Sequence, residues 1–459
     1  MINFKIQANK ILNWTFDQNG IALYKKLKYV VFSHIILMVG DKSMYIKRNI
    51  ENKIIQASKQ FACLTIYGPR QVGKSTLIEK IFPNITYVTL DDIELRDYAL
   101  KDPKGFIKYY SHPLIIDEIQ KAPELLDYIK IEIDEMKRNC LNNNKPLELL
   151  YIISGSNQYE LQDAIVESLA GRTCVFNLSS LSYNEIKERK IFNCFEPEIN
   201  VLREKNKLLN NYRSRKEIFD DILLGGMPEY ITLKPDREMF FKSYISTYIE
   251  KDVKKIISAS KETTFMNFMK YVALRTSCRL DYNEISRSIG IDTRTVKNWI
   301  SILETSGIIK LIYPFSPNIS DRVIKSPKLY FMDTGLCAYL CGMPDSQILE
   351  KSAFAGAFYE TYVISEIIKS YYNDYQNVNN IYYYRDKDQY EVDLIIESFD
   401  SIYPIEIKKG INPVSHSKNF NVLKKYKKKI NIGLVIDSSD KVLPINDEVY
   451  YCPIDLIGL

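Results

Sequence analysis

The chain has 459 residues, 46% of them hydrophobic and 26% charged, the balance of a folded soluble protein rather than a disordered or membrane chain, and its length calls for about two to four domains. A net charge of +5 is too mild to argue for a nucleic-acid partner by itself. Eight scattered cysteines, of which only Cys337 and Cys341 lie close together, read as reduced thiols, and three histidines (His34, His112, His416) argue against a zinc or copper centre, so any metal is expected to be hard and oxygen-bound.

The apolar run "YVVFSHIILMV" (29–39) follows Lys25, Lys26 and Lys28 and imitates a signal peptide. It is too short to span a bilayer and lacks a small-x-small cleavage pattern, so a cytoplasmic protein with no membrane partner is expected. A second methionine, Met44, opens an amphipathic lead-in, which makes residues 1–43 an optional extension or a misplaced start.

"FACLTIYGPRQVGKSTLIEKIF" (61–82) places an apolar strand, a glycine-bearing loop and a helix in the order a P-loop requires. Gly68, Pro69, Arg70, Gln71, Val72 and Gly73 would curl around the phosphates of ATP, with Thr76 beside them. Lys74 would reach the β and γ oxygens and Ser75 would hold Mg²⁺. "HPLIIDEIQ" (112–120) supplies an apolar strand ending in Asp117, for the magnesium shell, and Glu118, to orient and deprotonate the attacking water. The strand in "LELLYIISGSN" (147–157) ends in small polar residues, where Ser156 or Asn157 would sense the γ-phosphate, unless they only form a turn. Arg172, in "ESLAGRTCVFNL" (167–178), is either a surface arginine or a finger reaching a neighbour's ATP in a homo-oligomer.

Together with "GGMPEY" (225–230) and "YIEKDV" (248–253), these motifs make the chain from Met44 onward resemble the bacterial and archaeal AAA-type ATPases that carry the C-terminal domain of unknown function 4143. That resemblance implies a nucleotidase core followed by a helical lid, a winged helix and a nuclease-like module.

The segment from about 196 to 270 is helix-rich and polar without a catalytic cluster, which suits a lid. In "DYNEISRSIGIDTRTVKNWISILETSGIIKLIYPF" (281–315), two helices flank a glycine turn. Val296, Trp299, Ile300 and Leu303 share one face of the second helix, and Arg294, Lys297, Asn298 and Ser301 lie outward. Strands at 308–313 and 328–332 would form a wing. The outward set suits DNA, although such modules also serve as plain packing or protein-contact units.

In "AFAGAFYETYVISEIIKSYY" (353–372), Glu360 falls on the apolar stripe with Val363, Ile364 and Ile367. The hairpin "DLIIESFDSIYPIEIKKG" (393–410) turns at "SFDS", so Glu397 faces Ile402 and Asp393 faces Glu406, with Lys408 on the same side. The other face pairs Val392 with Ile407, Leu394 with Ile405 and Ile396 with Tyr403, and should be core. Facing carboxylates repel unless a cation sits between them; Mg²⁺ held by Asp393, Glu406 and Glu360 would serve, with Lys408 stabilising the reacting charge. This resembles the D, then E-x-K signature of restriction-type nucleases. Pro404 needs a position where no ladder hydrogen bond is required. Lys418, Lys424, Lys425, Lys427, Lys428 and Lys429 form either a solvated face or a phosphate-binding one.

The expected fold is α/β: an N-terminal extension (1–43), a P-loop ATPase core (44–195), a helical lid (196–272), a winged helix (273–345) and a restriction-endonuclease-like α/β domain (346–459). The leading expectation is an ATPase acting on DNA through the last two modules. An ATP-switched DNA-binding regulator with an inactive tail, and a signalling or remodelling ATPase without nucleic acid, remain open.

Overall fold

A computed structural model describes residues 45–155, 168–189, 193–249, 253, 261–318, 322, 325–410, 420–426 and 428–459. The extension 1–43, Met44, Ser156, Asn157, Lys418 and Lys427 lie outside the described residues. No helix among the described residues is long and apolar enough to cross a membrane.

Five strands form the first sheet: β1 (Cys63–Tyr67), β2 (Thr86–Thr89), β3 (Leu114–Asp117), β4 (Tyr151–Gly155) and β5 (Thr173–Asn177). They run parallel in the order β2-β3-β4-β1-β5. Central strands read as continuous apolar runs because both faces are covered, and all of β3 and β4 is buried. The order matters for chemistry. After β1 the chain crosses past β4 and β3 to β2, and only β4 then separates β1 from β3, so the loop after β1 opens toward the carboxyl end of β3.

Three helices, α4 (Glu262–Leu274), α5 (Tyr282–Ile289) and α6 (Thr293–Thr305), precede a two-stranded antiparallel ladder of β6 (Ile309–Ile312) and β7 (Lys328–Phe331); helices before them in the chain are named α1 to α3 below. Gly290 ends α5 at φ 75°, a left-handed conformation that glycine adopts without a Cβ penalty, and Asp292 caps α6 by accepting from Thr295 N. Val296, Trp299, Ile300 and Leu303 are buried, while Arg294, Lys297, Asn298 and Ser301 are exposed. Phe265 and Phe268 of α4 meet Trp299 edge-on, with centroids 5.1 and 5.2 Å away. The boundary expected at 272/273 therefore falls inside a helix that packs on the helix-turn-helix.

The tail begins with α7 (Ala355–Asn373), most of which is buried, against a seven-stranded sheet. Its strands are β8 (Ile381–Arg385), β9 (Glu391–Glu397), β10 (Ser401–Ile407), β11 (Lys429–Ile430), β12 (Gly433–Asp437), β13 (Pro444–Asn446) and β14 (Val449–Pro453). The order is β13-β14-β12-β10-β9-β8, with β11 also on β10. One apolar cluster runs from Phe195 to Leu459, so the helical segment, the helix-turn-helix and the tail share a core rather than owning three.

From its turn to Leu394 the hairpin register is the expected one, with Ile402 facing Glu397, Tyr403 facing Ile396 and Ile405 facing Leu394; the ladder stops there, short of the expected Asp393–Glu406 and Val392–Ile407 pairs. The hairpin's surroundings are not the expected ones. Both faces are buried, because Ile395 and Ile402 belong to a second apolar cluster behind the sheet. Val392 joins that second cluster instead of the one holding Leu394 and Ile407, since the β8–β9 register shifts between Tyr382 and Tyr384 and alternation slips by one. Pro404 lies in a central strand, yet β11 pairs with Ser401 and Ile402 and β12 with Ile405 to Ile407. The missing amide falls in the gap between those two partners.

Candidate functional site

The phosphate pocket is built by the loop between β1 and α1 (Lys74–Ile81). A Cβ at Gly68 would lie 2.0 Å from Leu178 O, and Gly73 sits at φ 89°, so both positions require glycine. Arg48, 3% exposed, braces the loop from behind: its guanidinium donates to Val72 O (2.9 Å), Ser179 O (2.8 Å) and Glu185 Oε1 (3.0 Å). Burial pushes the Glu185 carboxyl up, but Arg48 and the amides of Ser182 and Asn49 outweigh it and hold it below the usual value. Sequence reasoning passed over Arg48 because nothing local marks a residue whose partners Ser179 and Glu185 lie more than a hundred positions away.

Lys74 Nζ donates to Gly68 O (2.9 Å) and Pro69 O (2.8 Å), within reach of the pocket. Ser75 Oγ donates to Asp117 Oδ2 at 2.9 Å, and Tyr87 OH donates to the same oxygen at 2.5 Å. Ser154 Oγ donates to Asp117 Oδ1. Burial, then the Asp117 charge, pushes the Tyr87 phenol upward, so it stays a donor. Tyr87 and Ser154 were not anticipated; Ser154 is the polar residue of β4 on the strand itself, two positions before the expected sensor Ser156.

Glu118 occupies a left-handed conformation (φ 57°, ψ 41°), uncommon for glutamate, and accepts from Gln120 Nε2. It lines a pocket of about 320 Å³ with Arg70, Gln71, Gly73, Lys74, Ser75 and Thr76, and with Tyr244 and Thr247 of α3 (Arg237–Tyr248). The helical segment, expected to be a lid without a catalytic cluster of its own, thus contributes two side chains to this pocket. The paired Ser75 hydroxyl and Asp117 carboxylate are hard oxygen donors at the mouth of an anion-binding loop, and these residues fit Mg²⁺.

Arg172 does not stand free. Its guanidinium forks onto Asp134 of α2 (Leu125–Asn143), Nε to Oδ1 at 2.7 Å and Nη2 to Oδ2 at 2.9 Å, and lowers that carboxyl.

In the tail, Asp393, Glu406 and Lys408 come together: Lys408 Nζ lies 3.3 Å from Glu406 Oε2 and 3.7 Å from Asp393 Oδ2. Asp393 also accepts from Ile407 N (2.8 Å). Burial pushes the Asp393 carboxyl up, but its hydrogen bond to Glu406, the ammoniums of Lys328 and Lys408 and the Ile407 amide together hold it low. Glu360 is engaged elsewhere. Its Oε1 accepts from Lys328 Nζ (3.1 Å) and Tyr330 OH (2.7 Å), and Lys328 Nζ is also 2.5 Å from Glu391 Oε1. Burial and then the Asp393 charge push Glu360 up.

The cations beside these acids are the chain's own lysines. The expected magnesium shell of Glu360, Asp393 and Glu406 is not assembled, and among the described residues no group of three or more His, Cys, Asp or Glu side chains is arranged to hold a metal. As placed, these residues do not fit a metal centre. Three lysines of the lysine-rich segment are committed too: Lys424 to Glu448 (3.1 Å), Lys428 to Glu397 (2.6 Å) and Lys425 to Asp386 (3.9 Å).

Residues 60–187 match the AAA domain. With the loop, Lys74, Ser75 and Asp117 in these positions, one conclusion follows. The chain carries an AAA-type P-loop ATPase domain. Residues 215–347 match a domain of unknown function (DUF8612), and 355–457 match the domain of unknown function DUF4143. Over 416 residues, covering 90% of this chain and 84% of the relative, the protein is 24% identical to the uncharacterized protein Rv2008c of Mycobacterium tuberculosis. Among solved structures, the Walker-type ATPase PABY2304 of Pyrococcus abyssi is 13% identical at a TM-score of 0.39, over 64% of this chain and 96% of that one. The ORC2 protein of Aeropyrum pernix is 12% identical at 0.31, over 64% and 89%. At such scores these likenesses are partial, and the assignment rests on the domain matches and the loop.

Proposed function

We propose that this protein hydrolyses ATP and couples hydrolysis to an action on DNA. The observation that carries the first half is that Ser75 and Glu118 line one pocket while Ser75 is hydrogen-bonded to Asp117: a hydroxyl and carboxylate for the magnesium shell, and a second carboxylate on the wall of the phosphate pocket. Mg²⁺, when bound, neutralises charge developing on the phosphate oxygens. Lys74 would leave its own loop carbonyls for the β and γ oxygens. Glu118 would orient the attacking water and accept its proton. Tyr87 and Ser154 hold the Asp117 carboxylate in place beside Ser75.

The DNA half is supported by the helix-turn-helix, whose second helix buries its apolar stripe and leaves Arg294, Lys297, Asn298 and Ser301 in solvent. With the acids of the tail held by lysines, the regulator reading is favoured over the nuclease. Plasmid DNA incubated with Mg²⁺ or Mn²⁺ should stay supercoiled, and nicking abolished by Asp393→Ala would restore the nuclease reading. The decisive assay is ATP turnover with and without duplex DNA. Stimulation that fades steeply with salt supports the proposal; turnover indifferent to DNA at low salt points to a remodelling or signalling ATPase.

A further inference from the structure

We propose that the cleft between the helix-turn-helix and the tail sheet takes the phosphodiester backbone of DNA, with Arg279 and Lys297 as its phosphate contacts. This rests on the reading of DNA as partner and says where on the molecule it binds. The cleft measures about 700 Å³, and its wall joins the start of α6, at Thr293 and Lys297, to Arg385 and Glu391 of the tail.

Its charges decide the class of ligand. Three acids line it, and each is already engaged. Glu284 holds Arg275, Glu391 holds Lys328 and Arg385, and Asp281 accepts from the amides of Asn283 (2.9 Å) and Glu284 (3.0 Å) to cap α5. Five cations line it, and two are left over. Arg279 and Lys297 are exposed, and among the described residues neither forms a salt bridge; the Asp281 carboxyl is held low chiefly by the Glu284 amide, the Arg279 charge being only one of several lesser influences on it. Lys297 Nζ rests 5.5 Å from the centre of the Tyr282 ring, a weak hold that a phosphate oxygen displaces. The Nε of Arg385 is a buried donor with no hydrogen-bond partner among the described residues. An excess of positive charge together with an orphan donor is what an extended polyanion satisfies.

Placement adds a geometric reason. Lys297 and Arg294 belong to the exposed face of α6, whose first turn opens on the cleft, so a backbone lying there would run directly under the helix that faces the bases. In the lysine-rich segment after β10, by contrast, Lys424, Lys425 and Lys428 already lie against carboxylates. The tail would then act as the second jaw of a DNA clamp.

The test uses the full chain and fluorescence anisotropy with a labelled duplex and its isolated strand across a salt series. Arg279→Ala and Lys297→Ala should each weaken binding about tenfold and reduce the salt slope by about one, as loss of a single phosphate contact does. Both residues are exposed and outside the ATP pocket, so basal ATP turnover and thermal unfolding should not change. If both variants bind like wild type, or if Lys424→Ala and Lys429→Ala carry the loss instead, the cleft is not the site. If wild type binds neither form at low salt, DNA itself is not the partner and the proposal falls with that reading.

Discussion

Lys328 Nζ lies 3.1 Å from Glu360 Oε1, tying the ladder behind the helix-turn-helix to the long helix of the tail. Lys328 is 4% exposed and answers the question posed by a sheet that gathers so many acids: the compensating cation comes from the neighbouring segment. Removing one partner of a buried pair leaves the other charge uncompensated. Lys328→Met should therefore lower stability by roughly 3–5 kcal/mol, read as a drop in the urea midpoint.

The pH dependence of that loss has a definite sign. Burial opposes the Lys328 ammonium, but Glu360, Asp393 and Glu391 outweigh it, so the folded pKa is raised above the unfolded value. Its contribution is complete below the unfolded lysine value of about 10.4 and fades as pH rises beyond it toward the folded one. The gap between wild type and Lys328→Met should narrow in alkali as the ammonium loses its proton, and in acid as Glu360 and Asp393 take up theirs. A gap that stays the same in strong alkali would assign the effect to another group.

Glu118→Gln tests the ATP site. The amide keeps the shape of the side chain and its contact with Gln120, while Ser75, Tyr87 and Ser154 still hold Asp117. Nucleotide affinity by calorimetry should be close to wild type, with turnover lower by about 10²–10⁴. Equal turnover would remove Glu118 from the chemistry.

The strand-loop-helix with GxxxxGKS and the hairpin register were legible because each is a local rule: glycine at a tight turn, and an alternation that places apolar side chains on one face. What escaped was long-range. Nothing near Ser154 announces that it will meet Asp117, and nothing near Lys328 announces Glu360, since such partners are set by strand order and by the packing of one segment on another. The expectation of a metal between Asp393 and Glu406 used correct electrostatics with an incomplete cast, because the lysine of another segment is invisible to a reading of the hairpin alone. The slip at Val392 has a similar cause: a register shift against β8 leaves no mark in the alternation of β9 itself.

Arg172 is predicted to leave Asp134 and serve a neighbouring subunit's ATP. The fork is partly exposed, with side chains 25% and 38% accessible, so releasing it costs at most about 1 kcal/mol. A finger in trans is worth about 10³–10⁵ in rate. Arg172→Ala and Lys74→Ala should each be inactive, and mixing them should restore part of the turnover. Normal hydrolysis by Arg172→Ala at all protein concentrations would leave the residue a surface pair.

Arg213 is predicted to hold the ATPase domain, the helical segment and the tail in one arrangement. Its Nε donates to Asp455 Oδ1 (2.8 Å), and Nη1 donates to Asp221 Oδ2 (2.9 Å) and Tyr362 OH (2.8 Å). The guanidinium also lies 3.5 Å from the centre of the Tyr183 ring. The side chains of Arg213 and Asp455 are 8% and 1% exposed, so solvent screens the pair little. Asp455→Ala would leave Arg213 short of a charge partner inside the protein, at a cost of roughly 3–5 kcal/mol. The loss should also appear as faster proteolysis near Arg213, since that backbone amide donates to Asp455 Oδ2 (3.1 Å). Because the pair is buried, the difference from wild type should persist in high salt, whereas a surface pair would lose its effect there. An unchanged urea midpoint, with cleavage near Arg213 no faster than in wild type, would show that Asp221 and Tyr362 alone hold the guanidinium.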